Sequence, residues 1–163
     1  MRENSIYSAY PKAKELKMAK SLKEESVKGV QPLTASNIKY LITMLSLSKT
    51  PEDSENPNPK GVRGIDIASE LGIAKPSAHT MLENLAERGY IDKGRYGAAY
   101  FTAYGLETAN RYNTYFEILY EGHRDIFKDR RAALGPICSM LAELPYESLR
   151  VMENARTEGV GCP

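Results

Sequence analysis

Within "KPSAHTMLEN", residues 75–84, the side chains of Lys75, Ser77, His79, Thr80 and Asn84 set small donors, acceptors and cations on one short stretch. With a period of 3.6 residues, Ala78, Leu82 and Leu85 fall together on one face of a helix, and the polar groups fall on the others. Hydroxyls of this kind bond phosphates or base edges, and a threonine methyl packs on a thymine methyl. Lys75, just ahead of the helix, suits a phosphate. A second polar group follows at Arg95 and Tyr96 between Gly94 and Gly97. An arginine there suits a phosphate or a minor groove. The chemistry on offer is recognition of double-stranded DNA. A plainly solvated front, or contact with another protein, is the alternative reading of the same residues. The chain has no glycine-rich phosphate loop, no paired metal motif and no nucleophile with a histidine base. The expectation is therefore a protein that is not an enzyme.

The elements that must hold these residues show in the pattern around them. Ile38, Leu41, Ile42 and Leu45 repeat at helical spacing behind Thr34 or Ser36 as N-cap. "KTPEDSENPNPKG" is a surface loop. "GIDIASELG" is a short helix burying Ile67, Ala68 and Leu71, ended by Gly72 as a left-handed cap. Pro76 opens the third helix at its first position and Gly89 stops it. "YIDKGRYGAAYFTAYG" predicts a hairpin, with strands near 90–93 and 98–102 and its tip at Gly94–Gly97. Helix, helix, tight turn, helix and hairpin is the order of a winged helix-turn-helix.

Beyond the hairpin, Ala109, Tyr112, Phe116, Leu119 and Tyr120 predict a long helix over 104–121. "LGPICSMLAELPYESLRVMENA" supplies two shorter helices, entered at Pro136 and at Pro145. Tyr112, Tyr115, Phe116 and Tyr120 either line a ligand pocket or pack in a core. The fold class expected is mainly α (α+β), a winged helix-turn-helix domain followed by a helical dimerisation domain. Its parts are a basic arm over 1–30, with a helix near 11–25, the winged domain over 31–104, and the helical domain over 105–163. The apolar surface of the last part exceeds what a winged domain covers, which points to a homodimer.

Charge alone decides little. The net charge is +1. Residues 1–30 hold seven Lys/Arg against four Asp/Glu, 60–104 six against five, and 105–163 seven against nine. No basic block announces nucleic acid, so a DNA role rests on motif geometry. The longest apolar run, "YLITMLSL", is too short to span a bilayer and the start lacks an apolar signal region, so no membrane partner is expected. Two cysteines, Cys138 and Cys162, form no disulfide framework, which fits a cytoplasmic protein.

The segment "RGIDIASELGIAKPSAHTMLENLAERGYIDKGRYGAAYFTAYGLETA" resembles the DNA-binding domain of the iron-dependent repressor family, which includes the diphtheria toxin repressor and the manganese transport regulator. The shared features are IA-x-x-L before the turn, Pro-Ser opening the recognition helix, and T-x-x-G-x-x-x-A after the wing, here Thr102, Gly105 and Ala109. "ELPYESLRVM" resumes the likeness. The resemblance implies a homodimer on a two-fold operator, read by Lys75, Ser77, His79, Thr80, Asn84, Arg95 and Tyr96.

It also implies a divalent metal, and there this chain departs from the family. The acidic ligands of the first helix fall on Asn37 and Tyr40, the histidine after the wing on Phe116, and the glutamate one turn on at Tyr120. The family's Cys/Glu-x-x-Glu-His pattern reads Cys138, Ser139, Met140, Leu141, Ala142. Hard divalent ions need carboxylate, imidazole or water. Only Cys138 keeps a donor, so no metal cofactor is expected. Cys138 is a buried apolar group, a redox-sensing thiol, or a residual ligand that recruits His123 or Glu143. Other readings are a regulator using metal through non-family ligands, a MarR-like regulator answering a small molecule, and a winged-helix protein-interaction module. A small-molecule or redox effector is compatible with the sequence.

Overall fold

The computed structural model describes residues 32–49 and 60–157. The predicted arm over 1–30, most of the loop after Ser48, the Arg95 side chain and Cys162 lie outside the described residues.

Helix α1 spans Ala35–Ser48. Thr34, not Ser36, is its N-cap: the Thr34 hydroxyl accepts from the Asn37 amide, and the Asn37 side chain accepts from the Thr34 amide in return. Ile38, Leu41, Ile42 and Leu45 are buried as their spacing predicts, but so are Tyr40, Thr43 and Met44. A helix apolar on most sides is a central helix. α1 packs against the second helix of the motif and against both long helices that follow the wing, so the winged segment and those helices share one core.

A short strand β1, Val62–Arg63, leads into α2, Gly64–Leu71. Sequence periodicity misses β1 because two residues carry no period. In α2, Ile67 and Ala68 are buried and Leu71 only partly. Gly72 closes it in the left-handed conformation at φ 64°, donating to the Ala68 and Ser69 carbonyls. Helix α3, Lys75–Glu87, starts one residue before the expected Pro76. The first-turn amides of a helix have no partner within it, so proline is tolerated at either position. Strands β2, Ile91–Lys93, and β3, Ala98–Phe101, flank a tight turn over Arg95–Gly97. The sheet order is β1-β3-β2, all antiparallel, with Asp92 opposite Tyr100 and Val62 opposite Ala99.

Helix α4, Ala103–Gly122, is anchored at its start. The Thr102 hydroxyl donates towards the Gly89 and Tyr90 carbonyls and accepts from the Gly105 amide. At Gly105 an added Cβ would run into the Tyr90 backbone carbonyl. The Thr-x-x-Gly pair therefore presses the helix after the wing onto the exit of α3.

Helix α5 spans Arg130–Glu143 and corrects an expectation: Pro136 lies inside it rather than at its start. An interior proline removes one backbone hydrogen bond and costs about 3 kcal/mol. Here Ala133, Leu134, Ile137, Cys138 and Leu141 bury a continuous helical stripe that carries the helix through. Asp129 caps it by accepting from the Ala132 amide at 2.8 Å. Helix α6, Tyr146–Thr157, packs on α4, where the Tyr115 hydroxyl donates to Glu153 at 2.7 Å.

Candidate nucleic-acid interface

Helix α3 holds its place through Ala78, Leu82 and Leu85, all buried. That leaves Lys75, Ser77, His79, Thr80, Glu83, Asn84 and Glu87 exposed. The exposed residues divide into three strips. Lys75 and His79 face the wing, where they line a cleft of about 270 Å³ with Gly64, Ile65, Leu82 and Lys93. Thr80 rides the outer crest, and its hydroxyl donates to the Pro76 carbonyl at 3.1 Å. Asn84 lies on the side towards α1.

Glu83 ties the helix to the wing. Its Oε1 meets Lys93 Nζ at 3.0 Å and His79 Nε2 at 3.3 Å. The Lys93 hydrogen bond first, then the His79 and Lys93 charges, hold the Glu83 carboxyl below its usual range. It is therefore an anionic acceptor at neutral pH.

The wing tip is strained. Tyr96 is 99% exposed and sits at φ 64°, a left-handed conformation that non-glycine residues rarely adopt. Gly97 follows at φ 76°, and the Gly94 amide closes the turn on the Ala98 carbonyl at 2.7 Å. Behind the tip the Tyr100 ring lies against Gly61 and Gly94, where any Cβ would collide with it. The tip thus presents a single aromatic ring from a braced hairpin.

On its other side α3 is fastened to α1 by Asn37, which is only 2% exposed. Asn37 Nδ2 donates to Asn84 Oδ1 at 3.2 Å and towards Met81 Sδ at 3.3 Å. Arg88 Nη1 donates to Asn37 Oδ1 at 2.7 Å, and the Thr34 hydroxyl donates to the same oxygen at 2.8 Å. Asn84 is thereby half committed to the scaffold, which leaves its amide nitrogen for an outside acceptor.

The positions matching the family's metal ligands are mostly taken up by packing and by hydrogen bonds within the protein. Asn37 already spends its oxygen on Arg88 and Thr34. Phe116 and Leu141 are core residues, Ala142 packs against that core, and Tyr40 is buried with its phenol pushed up by desolvation. Phe116 stacks on Tyr120, and the Arg130 guanidinium lies 4.7 Å above the Phe116 ring, paired with Glu117 at 2.7 Å. Among the described residues no three His, Cys, Asp or Glu side chains converge. Cys138 is 1% exposed, and burial pushes its thiol up to about 12. His123 is exposed, its Nδ1 2.8 Å from the Leu119 carbonyl.

Residues 56–94 match the IclR helix-turn-helix domain. That stretch contains β1, α2, α3 and β2. No curated protein matches the chain. Among solved structures, the manganese regulator SloR superposes with a TM-score of 0.51 at 12% identity, covering 82% of this chain and 58% of that one. A hypothetical protein, SSo2273 from Sulfolobus solfataricus, is similar at 21% identity with a TM-score of 0.48, covering 80% of this chain and 95% of that one. The chain thus spans little more than half of the manganese regulator. The matching domain is of the IclR type, and it does not show the iron-dependent repressor family that the sequence resembles. The two agree on a winged helix-turn-helix of the kind that DNA-binding transcriptional regulators carry. Among the described residues no helix is long and apolar enough to cross a membrane.

The residue types and spacing singled out in the sequence leave out Glu83, Lys93, Arg88 and the hub at Asn37. The i, i+4 spacing of His79 and Glu83 was the available signal. Arg88 and Lys93 meet their partners only across elements.

Proposed function

We propose that the chain is a homodimeric DNA-binding transcriptional regulator, related to the iron-dependent repressors and not switched by metal. The observation that carries this reading is α3 itself. Its apolar face is buried at Ala78, Leu82 and Leu85, its Thr80 crest is exposed, and His79 and the cationic Lys75 and Lys93 lie beside it towards the wing. In a helix-turn-helix such a helix enters the major groove, and the wing meets the flanking backbone. Thr80, His79, Ser77 and the amide of Asn84 then face base edges, Lys75 and Arg95 meet phosphates, and Tyr96 lies along the groove wall. The cytoplasm is where such a partner is found.

Metal independence is supported by Phe116, Leu141 and Ala142, which offer no lone pair where the family binds its ion. Dimerisation is supported by apolar surface at the far end of the molecule. Leu119, Phe127 and Pro136 line a cleft of about 230 Å³ with Ile126 and Met140, and Ile126 is 68% exposed.

The test is duplex binding with and without chelator. Thr80→Ala and His79→Ala weaken binding to a selected operator while leaving the fold intact. Lys75→Ala and Arg95→Ala weaken binding to every sequence and lower its salt slope by about one each. Chelator changes nothing, and light scattering gives twice the chain mass. Unchanged affinity in all four variants would sink the groove assignment, and no DNA affinity at low salt would favour a protein-interaction module.

A further inference from the structure

We propose that Glu83 is a specificity-determining residue, selecting a base with an exocyclic amino group and opposing binding elsewhere; this rests on the DNA reading above. Three observations meet at this side chain. It lies on the part of α3 between the outer crest and the wing, half exposed, one turn after His79. Its two ion-pair contacts both fall on Oε1, from Lys93 at 3.0 Å and His79 at 3.3 Å. Among the described residues, neither contact uses Oε2. One oxygen is anchored to the protein and the other is left for an outside donor.

The neighbouring crest has the same polarity. Thr80 commits its hydroxyl hydrogen to the Pro76 carbonyl and keeps its lone pairs. The outward edge of α3 thus offers acceptors at Thr80 and Glu83. In the major groove the donors are the amino groups of cytosine N4 and adenine N6, whereas guanine and thymine present acceptor oxygens to the same approach. A carboxylate meets the first pair and is repelled by the second. The same charge repels phosphates, so Glu83 lowers affinity for DNA in the wrong register while Lys93 and His79 hold it in one rotamer.

Selection of binding sites from random duplexes by the full chain tests this, with Glu83→Gln and Glu83→Ala beside it. Wild-type protein selects cytosine or adenine at one position of each half-site. Replacing that nucleotide by its analogue without the amino group, 2-pyrimidinone or purine deoxyriboside, weakens wild-type binding about tenfold and Glu83→Ala less than twofold. Glu83→Ala tolerates all four bases there, Glu83→Gln no longer selects cytosine because its amide can pair with adenine, and both bind random duplex more tightly at low salt. Both variants keep the wild-type circular dichroism spectrum, because the side chain is exposed. Identical selected sequences in all three proteins, or an analogue effect that survives in Glu83→Ala, overturns the assignment of Glu83 and leaves the DNA reading standing. Failure of the wild-type protein to select any sequence overturns both.

Discussion

Replacing Asn37 by alanine removes the fastening between α1 and the recognition helix, and its cost follows from the partners lost. Asn37 Oδ1 accepts from Arg88 at 2.7 Å, from the Thr34 hydroxyl at 2.8 Å and, more weakly, from the Thr34 amide at 3.3 Å. Hydrogen bonds to charged groups contribute about 1.5–3 kcal/mol and neutral ones about 1 kcal/mol. Arg88 is half-buried and also lies 5.6 Å from the Tyr90 ring centroid, so the low end applies to it. Asn84 is exposed and takes water in exchange. Thr34 keeps its capping bond from the Asn37 amide at 3.2 Å, since that donor is backbone. The expected loss is about 2 kcal/mol, measured by urea unfolding, or roughly 5 °C in Tm for a chain of this size. Asn37→Asp keeps the acceptor contacts to Arg88, the Thr34 hydroxyl and the Thr34 amide and lets the Asn84 amide turn round, so it stays within about 1 kcal/mol of wild type. A double cycle with Arg88→Ala shows coupling of about 1 kcal/mol or more. Additive effects, or a loss in Asn37→Ala below about 0.5 kcal/mol, would refute the hub.

Other consequences are equally direct. Gly105→Ala drives a methyl into the Tyr90 carbonyl and destabilises the fold by about 3 kcal/mol or more, seen as a collapsed unfolding midpoint. Tyr96→Gly relieves the left-handed strain and gains about 1 kcal/mol by thermal unfolding, while DNA affinity falls. Pro136→Ala restores one helical hydrogen bond and stabilises α5 by about 1 kcal/mol after the lost ring contacts. Cys138, pushed up from 9.0 to about 12 by burial, stays a thiol at neutral pH. Peptide mapping therefore finds it unalkylated at pH 8 until denaturant is added. Because folding favours the protonated form, its contribution to stability is full below pH 9 and declines as pH rises from there towards 12.

The sequence by itself determined the elements whose causes are local. The Thr34 cap, the Ile38–Leu45 stripe, the Gly72 turn and the Ala78–Leu85 face each depend on residues within about four positions of one another, as helix geometry requires. The glycines about Arg95 and Tyr96 marked the wing in the same way. Chemistry of side chains at aligned positions was legible too, since Phe116 and Leu141 cannot ligate a hard ion in any fold. The tertiary structure decided the rest. Pro136 reads locally as a start, and only the buried stripe from Ala133 to Leu141 shows that packing overrides it. β1 exists because β3 offers it an edge. Arg88 finds Asn37 across 51 positions, and Lys93 finds Glu83 across a strand–helix boundary. Such contacts depend on where the elements pack, and no local period encodes that.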